Sequence, residues 1–152
     1  MASVAGVGLL WPVADLRTFP FGCWQLDRVL LDRRCSIGGK MRGEAHFSPI
    51  GNSLFYHERG ALVFGTHSGP AEQSYSYSFP HGRASASVRF RDGREFHQLD
   101  LSEGRSIVSH ACGDDVYEGS FVALDETRWQ SMWKVAGPRK DQEVRTLYTR
   151  LS

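Results

Sequence analysis

A chain of 152 residues is long enough for one ordinary domain and too short for two. Lys and Arg total 18 against 17 Asp and Glu, so the net charge of +1 argues against a nucleic-acid partner held mainly by phosphate contacts. The hydrophobic fraction is 41% and the charged fraction 23%, as in globular proteins, and no apolar run approaches the roughly 20 residues of a membrane span. We therefore expect a single domain, 1–152, without a nucleic-acid or membrane partner.

The first ten residues are apolar but carry no positive charge before Arg17, and Trp11-Pro12 follows them in place of a cleavage site. We interpret them as a mature N-terminus. The cysteines are odd in number, without CxxC spacing, which favours a reduced, cytoplasmic protein over a secreted disulfide framework.

The predicted elements begin with a short helix over 12–18, where Pro12 suits a first turn. Extended segments with many glycine turns follow almost to the end of the chain. Gly51-Asn52 and Asp92-Gly93 are hairpin signals, and Gly60 predicts a bend or bulge. The predicted strands are 21–32, 40–47, 53–64, 72–79, 84–90, 95–101, 106–111, 116–124, 128–136 and 143–150.

About ten short strands joined by hairpins must hide their edges, and closure into an up-and-down barrel does this fully. We predict an all-β, closed antiparallel barrel of eight to ten strands with the helix at its closed end. A sandwich is the alternative, but the Cys and Trp pattern of immunoglobulin domains is missing from the sequence. A barrel of this size is either filled by side chains or holds one small ligand.

Gly22-x-Trp24 on the first strand and Arg150 on the last resemble the signature of the calycin superfamily, the lipocalins, fatty-acid-binding proteins and nitrobindin-like barrels. The resemblance implies that Trp24 plugs the closed end and that Arg150 packs across its ring, both in structural roles.

A closer resemblance covers nearly the whole chain. The sequence is similar to a domain family of unknown function whose members are expected to form calycin-like barrels. That resemblance implies a fold but no settled activity. It rests on five motifs in order: Gly22-x-Trp24-x-Leu26-x-Arg28, Tyr56-x-Glu58-x-Gly60, Phe90-x-Asp92-Gly93-Arg94-x-Phe96-His97, His110-x-Cys112-x-x-Asp115-x-Tyr117 and Trp133-x-Val135-x-Gly137-Pro138-x-Lys140.

Strand alternation predicts a lining that mixes apolar side chains with ionisable ones, provided that no bulge shifts the alternation. A filled core has little use for so many polar groups, whereas a ligand cavity does. We therefore predict a small-molecule-binding barrel, whose ligand is partly polar and partly apolar or aromatic. Its polar end would contact Arg28, Tyr56 and Glu58, although Arg28 and Glu58 equally suit an internal salt bridge. The remaining expected ligand contacts are Tyr75, Tyr77, Phe90, Trp133 and Lys140.

The alternative is that this barrel is an enzyme, because the same lining contains residues suited to general acid–base catalysis. His97 or His110 would move a proton, Asp115 would orient the imidazole, and Tyr117 or Lys140 would steady an oxyanion, as in an isomerase, dehydratase or cyclase. In the binding interpretation His97, His110 and Tyr117 contact the ligand instead. No covalent nucleophile is expected, since Cys112 has no clear thiolate-stabilising partner beyond His110. A structural or protein-interaction barrel is a third class.

His110-x-Cys112, with His97 nearby, is too weak a pattern to predict a fixed zinc, and no metal is expected. The nitrobindin-like resemblance implies haem on one proximal histidine, His110 or His97, as a minority possibility. Trp11 and exposed strand faces could support a homodimer.

Overall fold

The computed structural model describes residues 10–151, in which ten antiparallel strands form one sheet. Consecutive strands pair with each other except β6 and β7, and the first strand pairs with the last, so the spatial order is β6-β5-β4-β3-β2-β1-β10-β9-β8-β7. The prediction of an up-and-down, all-β barrel is confirmed. The strands are β1 Gly22–Asp32, β2 Ile37–Ile50, β3 Ser53–Phe64, β4 His67–Ser78, β5 Ser85–Phe90, β6 Glu95–Asp100, β7 Arg105–Cys112, β8 Asp115–Asp125, β9 Arg128–Gly137 and β10 Lys140–Arg150.

The two ends of the sheet, β6 and β7, approach each other without a ladder of backbone hydrogen bonds. The Asp100 N–H donates to Ser106 Oγ over 3.4 Å, and the rings of Phe96 and His110 lie 5.4 Å apart. The barrel is therefore nearly closed, with a seam between β6 and β7.

The predicted helix over 12–18 is wrong: no helix occurs among the described residues, and 16–20 form turns. Only Phe19 N–H bonds back to Asp15 O in the α-helical pattern. The N–H groups of Val13 and Leu16 instead donate to Leu101 O and Arg83 O on other segments. Because these two N–H groups bond to segments at the end of the barrel, residues 12–18 lie over that end as an irregular cap.

The capped end is closed by Trp24, which is fully buried and donates its indole N–H to Pro20 O. The Arg150 guanidinium lies 4.2 Å from the centre of a Trp24 ring and donates to Phe19 O and Phe21 O. The structural roles that the calycin resemblance implied for Trp24 and Arg150 are confirmed.

The opposite end is open and uneven in height. The β5–β6 hairpin is short, and β5 pairs with β4 only over Tyr75–Ser78, which leaves 67–74 as a free sheet edge. Pro70 lies on this edge, where the missing backbone N–H removes no ladder bond. The open end can therefore be entered from this side as well as along the barrel axis.

Gly60 does not form a bulge, since the β2–β3 pairing runs through it without a shift. It lies opposite Gly43, and a Cβ atom on Gly60 would come within 2.3 Å of Arg42 O. Close approach of the two backbones, rather than an inserted residue, explains this glycine. No helix in the described residues is long and apolar enough to cross a membrane.

Candidate functional site

The barrel interior contains a cavity of about 400 Å³ between the Trp24 plug and the open end. Side chains from strands on every side of the barrel contribute to its wall, as alternation predicts. The predicted site residues that line it are Arg28, Tyr56, Glu58, Tyr75, Tyr77, His97, Tyr117 and Trp133. Further lining residues are Met41, Phe96, Phe121, Trp129, Ser131, Thr146 and Tyr148.

Arg28 and Glu58 form a bidentate salt bridge at the side of the cavity, with N–O distances of 2.5 and 2.9 Å. Arg28 Nε also donates to Thr146 Oγ1 over 2.8 Å. The side chains are 17% and 4% exposed, so the pair is largely shielded from water. Burial lowers the pKa of Arg28, but its hydrogen bonds with Glu58 outweigh this and raise the pKa, so the guanidinium stays charged. The internal salt bridge considered from the sequence is thus present.

Two tyrosines extend this polar group toward the closed end. The Tyr56 hydroxyl donates to Glu58 Oε1 over 2.5 Å and lies 3.1 Å from the Tyr148 hydroxyl. Burial raises the pKa of Tyr56, Tyr77 and Tyr148, so each phenol remains protonated. Glu58 therefore receives three hydrogen bonds from within the barrel.

His97 contributes a neutral imidazole to the cavity wall. It is 7% exposed, and its Nδ1 lies 3.0 Å from Gln98 O. A carbonyl can only accept, so Nδ1 carries the proton and Nε2 has a free lone pair. Desolvation lowers the pKa of His97 to about 4, so the ring is neutral at pH 7. No hydrogen bond reaches Nε2 from residues 10–151, which leaves it available to a donor in the cavity.

Phe96 is a lining residue that alternation did not predict. The β5–β6 pairing steps from Val88↔His97 to Arg89↔Glu95, so Phe96 is an extra residue in β6. This β-bulge lets the consecutive side chains of Phe96 and His97 both reach the interior. The Phe96 ring stacks on Trp133 at 4.9 Å and on Phe90 at 4.4 Å. The alternation of inward and outward residues along the sequence does not reveal this shift in pairing.

Trp129 also lines the cavity, from the inward face of β9. The notable feature is its buried indole N–H, which finds no acceptor within the described part of the chain. Its ring stacks on Tyr148 at 3.8 Å and packs near Phe121 at 6.2 Å. A buried donor without a partner costs about 1–3 kcal/mol, which an acceptor atom of a ligand can offset.

The other four predicted residues lie around the open end rather than in the cavity wall. His110 packs edge to face against both Phe90 and Phe96, with ring distances of 5.7 and 5.4 Å. Asp115 pairs with Lys140 at 3.3 Å, and the Asp115 carboxylate and the Tyr117 hydroxyl raise the pKa of that lysine.

The structure does not bring His110 and Asp115 together by a hydrogen bond, within the range 10–151 that it describes. Nor do three His, Cys, Asp or Glu side chains of those residues converge as metal ligands would. Asp115 contacts Lys140 instead of orienting the His110 imidazole.

Comparison with protein families gives one match over residues 21–150, to DUF6314, a family of unknown function. The chain belongs to this family. None of the curated proteins matches it. The shared barrel is confirmed by solved structures of low sequence identity, which show the fold alone.

A protein of unknown function from the DUF3598 family of Nostoc punctiforme has a TM-score of 0.66 at 11% identity, covering 94% of this chain and 51% of that one. This DUF6314 chain thus spans about half of that protein. The S-type phycobiliprotein lyase CPES from Guillardia theta has a TM-score of 0.64 at 7% identity, covering 88% and 89%. EF1p2_mFAP2b bound to DFHBI has a TM-score of 0.50 at 11% identity, covering 90% and 98%.

Proposed function

We propose that this DUF6314 barrel binds a small molecule in its interior, with a flat, largely aromatic body and a few neutral polar groups. The observation that carries the proposal is a cavity of about 400 Å³ whose aromatic wall presents His97 Nε2 and Trp129 Nε1 without a hydrogen-bond partner among residues 10–151. Cavities of about 300–1,000 Å³ with apolar walls and few polar groups are typical ligand sites.

The charges of the cavity favour a neutral ligand. Arg28 and Glu58 satisfy each other, so their net contribution to the interior is zero. Glu72, the remaining carboxylate of the lining, is 61% exposed, so a charged ligand deep in the cavity would leave water without a free counter-charge there. A ligand donor can bond His97 Nε2, and a ligand acceptor can bond the Trp129 N–H.

The aromatic wall suits a planar conjugated body. Phe96 and Trp133 stack nearly parallel, with an interplanar angle of 16°, and Phe121 meets Trp133 edge to face at 86°. Aromatic pairs in such arrangements contribute about 0.5–1.5 kcal/mol beyond area burial. The neighbour EF1p2_mFAP2b holds DFHBI, which makes this compound a reasonable first probe.

The first test is native mass spectrometry of the freshly purified full chain, followed by titration with DFHBI and with neutral aromatic compounds, monitored by tryptophan fluorescence. We expect a retained small molecule, or saturable quenching. Trp133→Leu should weaken binding of the titrated compound by roughly tenfold, as loss of about 1.4 kcal/mol does.

Trp11→Leu is the matched control, because Trp11 is 43% exposed and lies outside the cavity wall. Quenching that is equally strong in both variants would place the compound elsewhere. A chain that stays empty and binds none of the compounds would favour a purely structural barrel.

Haem is a second candidate, and His97 is the observation that favours it. An imidazole whose Nδ1–H bonds a backbone carbonyl and whose Nε2 is free matches the geometry of a metal-binding histidine. His97 would be the axial ligand, and bound haem would supply iron chemistry. Protein supplied with haem should then show a Soret band, which His97→Ala should remove and His110→Ala should retain. If the parent chain shows no Soret band, the haem proposal is wrong.

A further inference from the structure

Four polar side chains form a row across the outer face of the barrel, directly opposite one another on β1 to β4. The register pairs Cys23 with His46, His46 with His57, and His57 with Ser74. Because Trp24 points inward, its neighbour Cys23 lies on the outer face. This row is separate from the interior cavity, and none of its members lines that cavity.

Cys23 lies against a base within this row. Its Sγ is 2.9 Å from His46 Nδ1, and His46 Nε2 is 3.4 Å from a Glu44 carboxylate oxygen. A nucleophilic side chain is activated by an adjacent base, which is in turn oriented by a third group. The imidazole can take the thiol proton, and the carboxylate stabilises the imidazolium that results.

The other two cysteines lack these partners. Cys35 and Cys112 are both exposed, whereas Cys23 is half-buried. No side chain of the described residues makes a hydrogen bond to the sulfur of Cys35 or Cys112. Accessibility alone would rank Cys23 last of the three in reactivity, while proton transfer to His46 ranks it first.

We propose that Cys23 is a covalent modification site for small electrophiles, activated by His46 and Glu44. With iodoacetamide as the electrophile, the thiol proton passes to His46, and a sulfur electron pair forms a bond to the methylene carbon. The carbon–iodine bond breaks and its electron pair leaves with iodide. The imidazolium then returns its proton to solvent, so that atoms and charge balance.

A neighbouring cluster supplies the matched control. His57 Nδ1 is 2.8 Å from Ser74 Oγ, and His57 Nε2 is 3.6 Å from a Glu72 carboxylate oxygen. His57 faces the same surface from the next strand but does not contact Cys23 in the described contacts. His57→Gln therefore changes the surface by the same amount without removing the base beside the thiol.

The experiment treats the reduced full chain with limiting iodoacetamide at pH 7, and follows each cysteine by peptide mass spectrometry. An ordinary thiol is only a few per cent thiolate at this pH, so we expect Cys23 to react roughly tenfold faster than Cys35 and Cys112. His46→Gln should lower the Cys23 rate to or below that of Cys35. His57→Gln should leave the ratio of rates unchanged.

Glu44→Gln is the second variant, since Glu44 is exposed and its substitution leaves the core intact. It should reduce the Cys23 rate by less than His46→Gln does. Faster alkylation of Cys35 or Cys112 in the unmodified sequence overturns the proposal. Equal Cys23-to-Cys35 ratios in His46→Gln and the parent chain overturn it too, because both cysteines are measured in one molecule.

Discussion

At the residue scale, the Arg28–Glu58 salt bridge is the most consequential polar contact in the barrel. The carboxylate receives hydrogen bonds from Arg28 and from the Tyr56 hydroxyl, and the guanidinium also bonds Thr146. Removing either charged side chain should destabilise the fold, because the other is then a buried charge without a counter-charge. It also sets one side of the cavity as polar yet neutral.

We predict that Glu58→Gln lowers the free energy of unfolding by about 3 kcal/mol, because Arg28 then stays largely buried without a counter-charge. Urea denaturation measures the change. The combined Arg28→Met and Glu58→Leu variant should recover most of the loss, since neither charge remains.

The control for this prediction is Arg42→Gln, which breaks the exposed Arg42–Asp27 pair and should change stability negligibly. Equal stability of Glu58→Gln and the parent chain would mean that Arg28 reaches water in solution.

His97 links stability to pH. Its pKa in the folded chain is about 4, because burial disfavours the charged imidazole, against an ordinary value of 6.5. Between these values the unfolded chain binds more protons than the folded one, so stability rises with pH and is lost on acidification. A shift of this size corresponds to about 3 kcal/mol between pH 6.5 and pH 4.

We predict that His97→Gln removes this part of the pH dependence, seen as a flatter plot of unfolding free energy against pH below 6.5. His81→Gln, at an exposed position, should keep the slope of the parent chain. Parallel plots for His97→Gln and the parent would show that His97 is protonated in the folded barrel.

At the element scale, two local features shape the strands around the cavity. The bulge at Phe96 turns both Phe96 and His97 inward, and so adds an aromatic ring to the wall without lengthening the hairpin. On the opposite side, Gly43 and Gly60 allow β2 and β3 to approach closely. Both features change which side chains meet inside the barrel.

We predict that Gly60→Ala destabilises the barrel by about 2 kcal/mol or more, because its Cβ has no room beside the Arg42 carbonyl and Gly43. Thermal unfolding measures the effect. Gly38→Ala is the control: the nearest atom to its Cβ is 3.8 Å away, an ordinary contact, so stability should hardly change. Similar losses from both substitutions would show that strand flexibility, rather than contact, matters at Gly60.

At the scale of the whole molecule, the barrel has a well-paired side and a weakly paired side. β1 pairs with both β2 and β10, whereas β7 pairs only with β8, and the first half of β4 pairs only with β3. The weakly paired side borders the open end, next to Phe96 and His110. The wall therefore has its fewest backbone hydrogen bonds beside the open end.

We predict faster amide hydrogen exchange in peptides covering 67–74 and 105–112 than in those covering 22–32, because unpaired edge amides open at lower free energy. Mass spectrometry resolves these segments. A bound compound in the cavity should slow exchange near the seam more than in β1. Uniform protection around the barrel would mean that β6 and β7 are paired in solution.

The ten strands, their hairpin order and most of the inward-facing residues were predictable from the sequence. Period-2 patterning and glycine turns are local, so residues such as Trp24, Leu26 and Arg28 reveal their face without knowledge of the partner strands. The segments at 37–39 and 67–71 were missed because they gain extended structure from neighbouring strands rather than from their own composition.

Only the tertiary structure decided the features that depend on what meets across the barrel. The segment 12–18 is not helical because the N–H groups of Val13 and Leu16 find acceptors on distant segments of the chain, and Phe96 faces inward because of a pairing shift. Glu58 pairs with Arg28 and Asp115 with Lys140, whereas Cys23 meets His46 on the outer wall. A local sequence pattern predicts which face of a strand a side chain occupies. The residue that this side chain contacts lies many positions away in the chain, and the register between strands determines which residue that is.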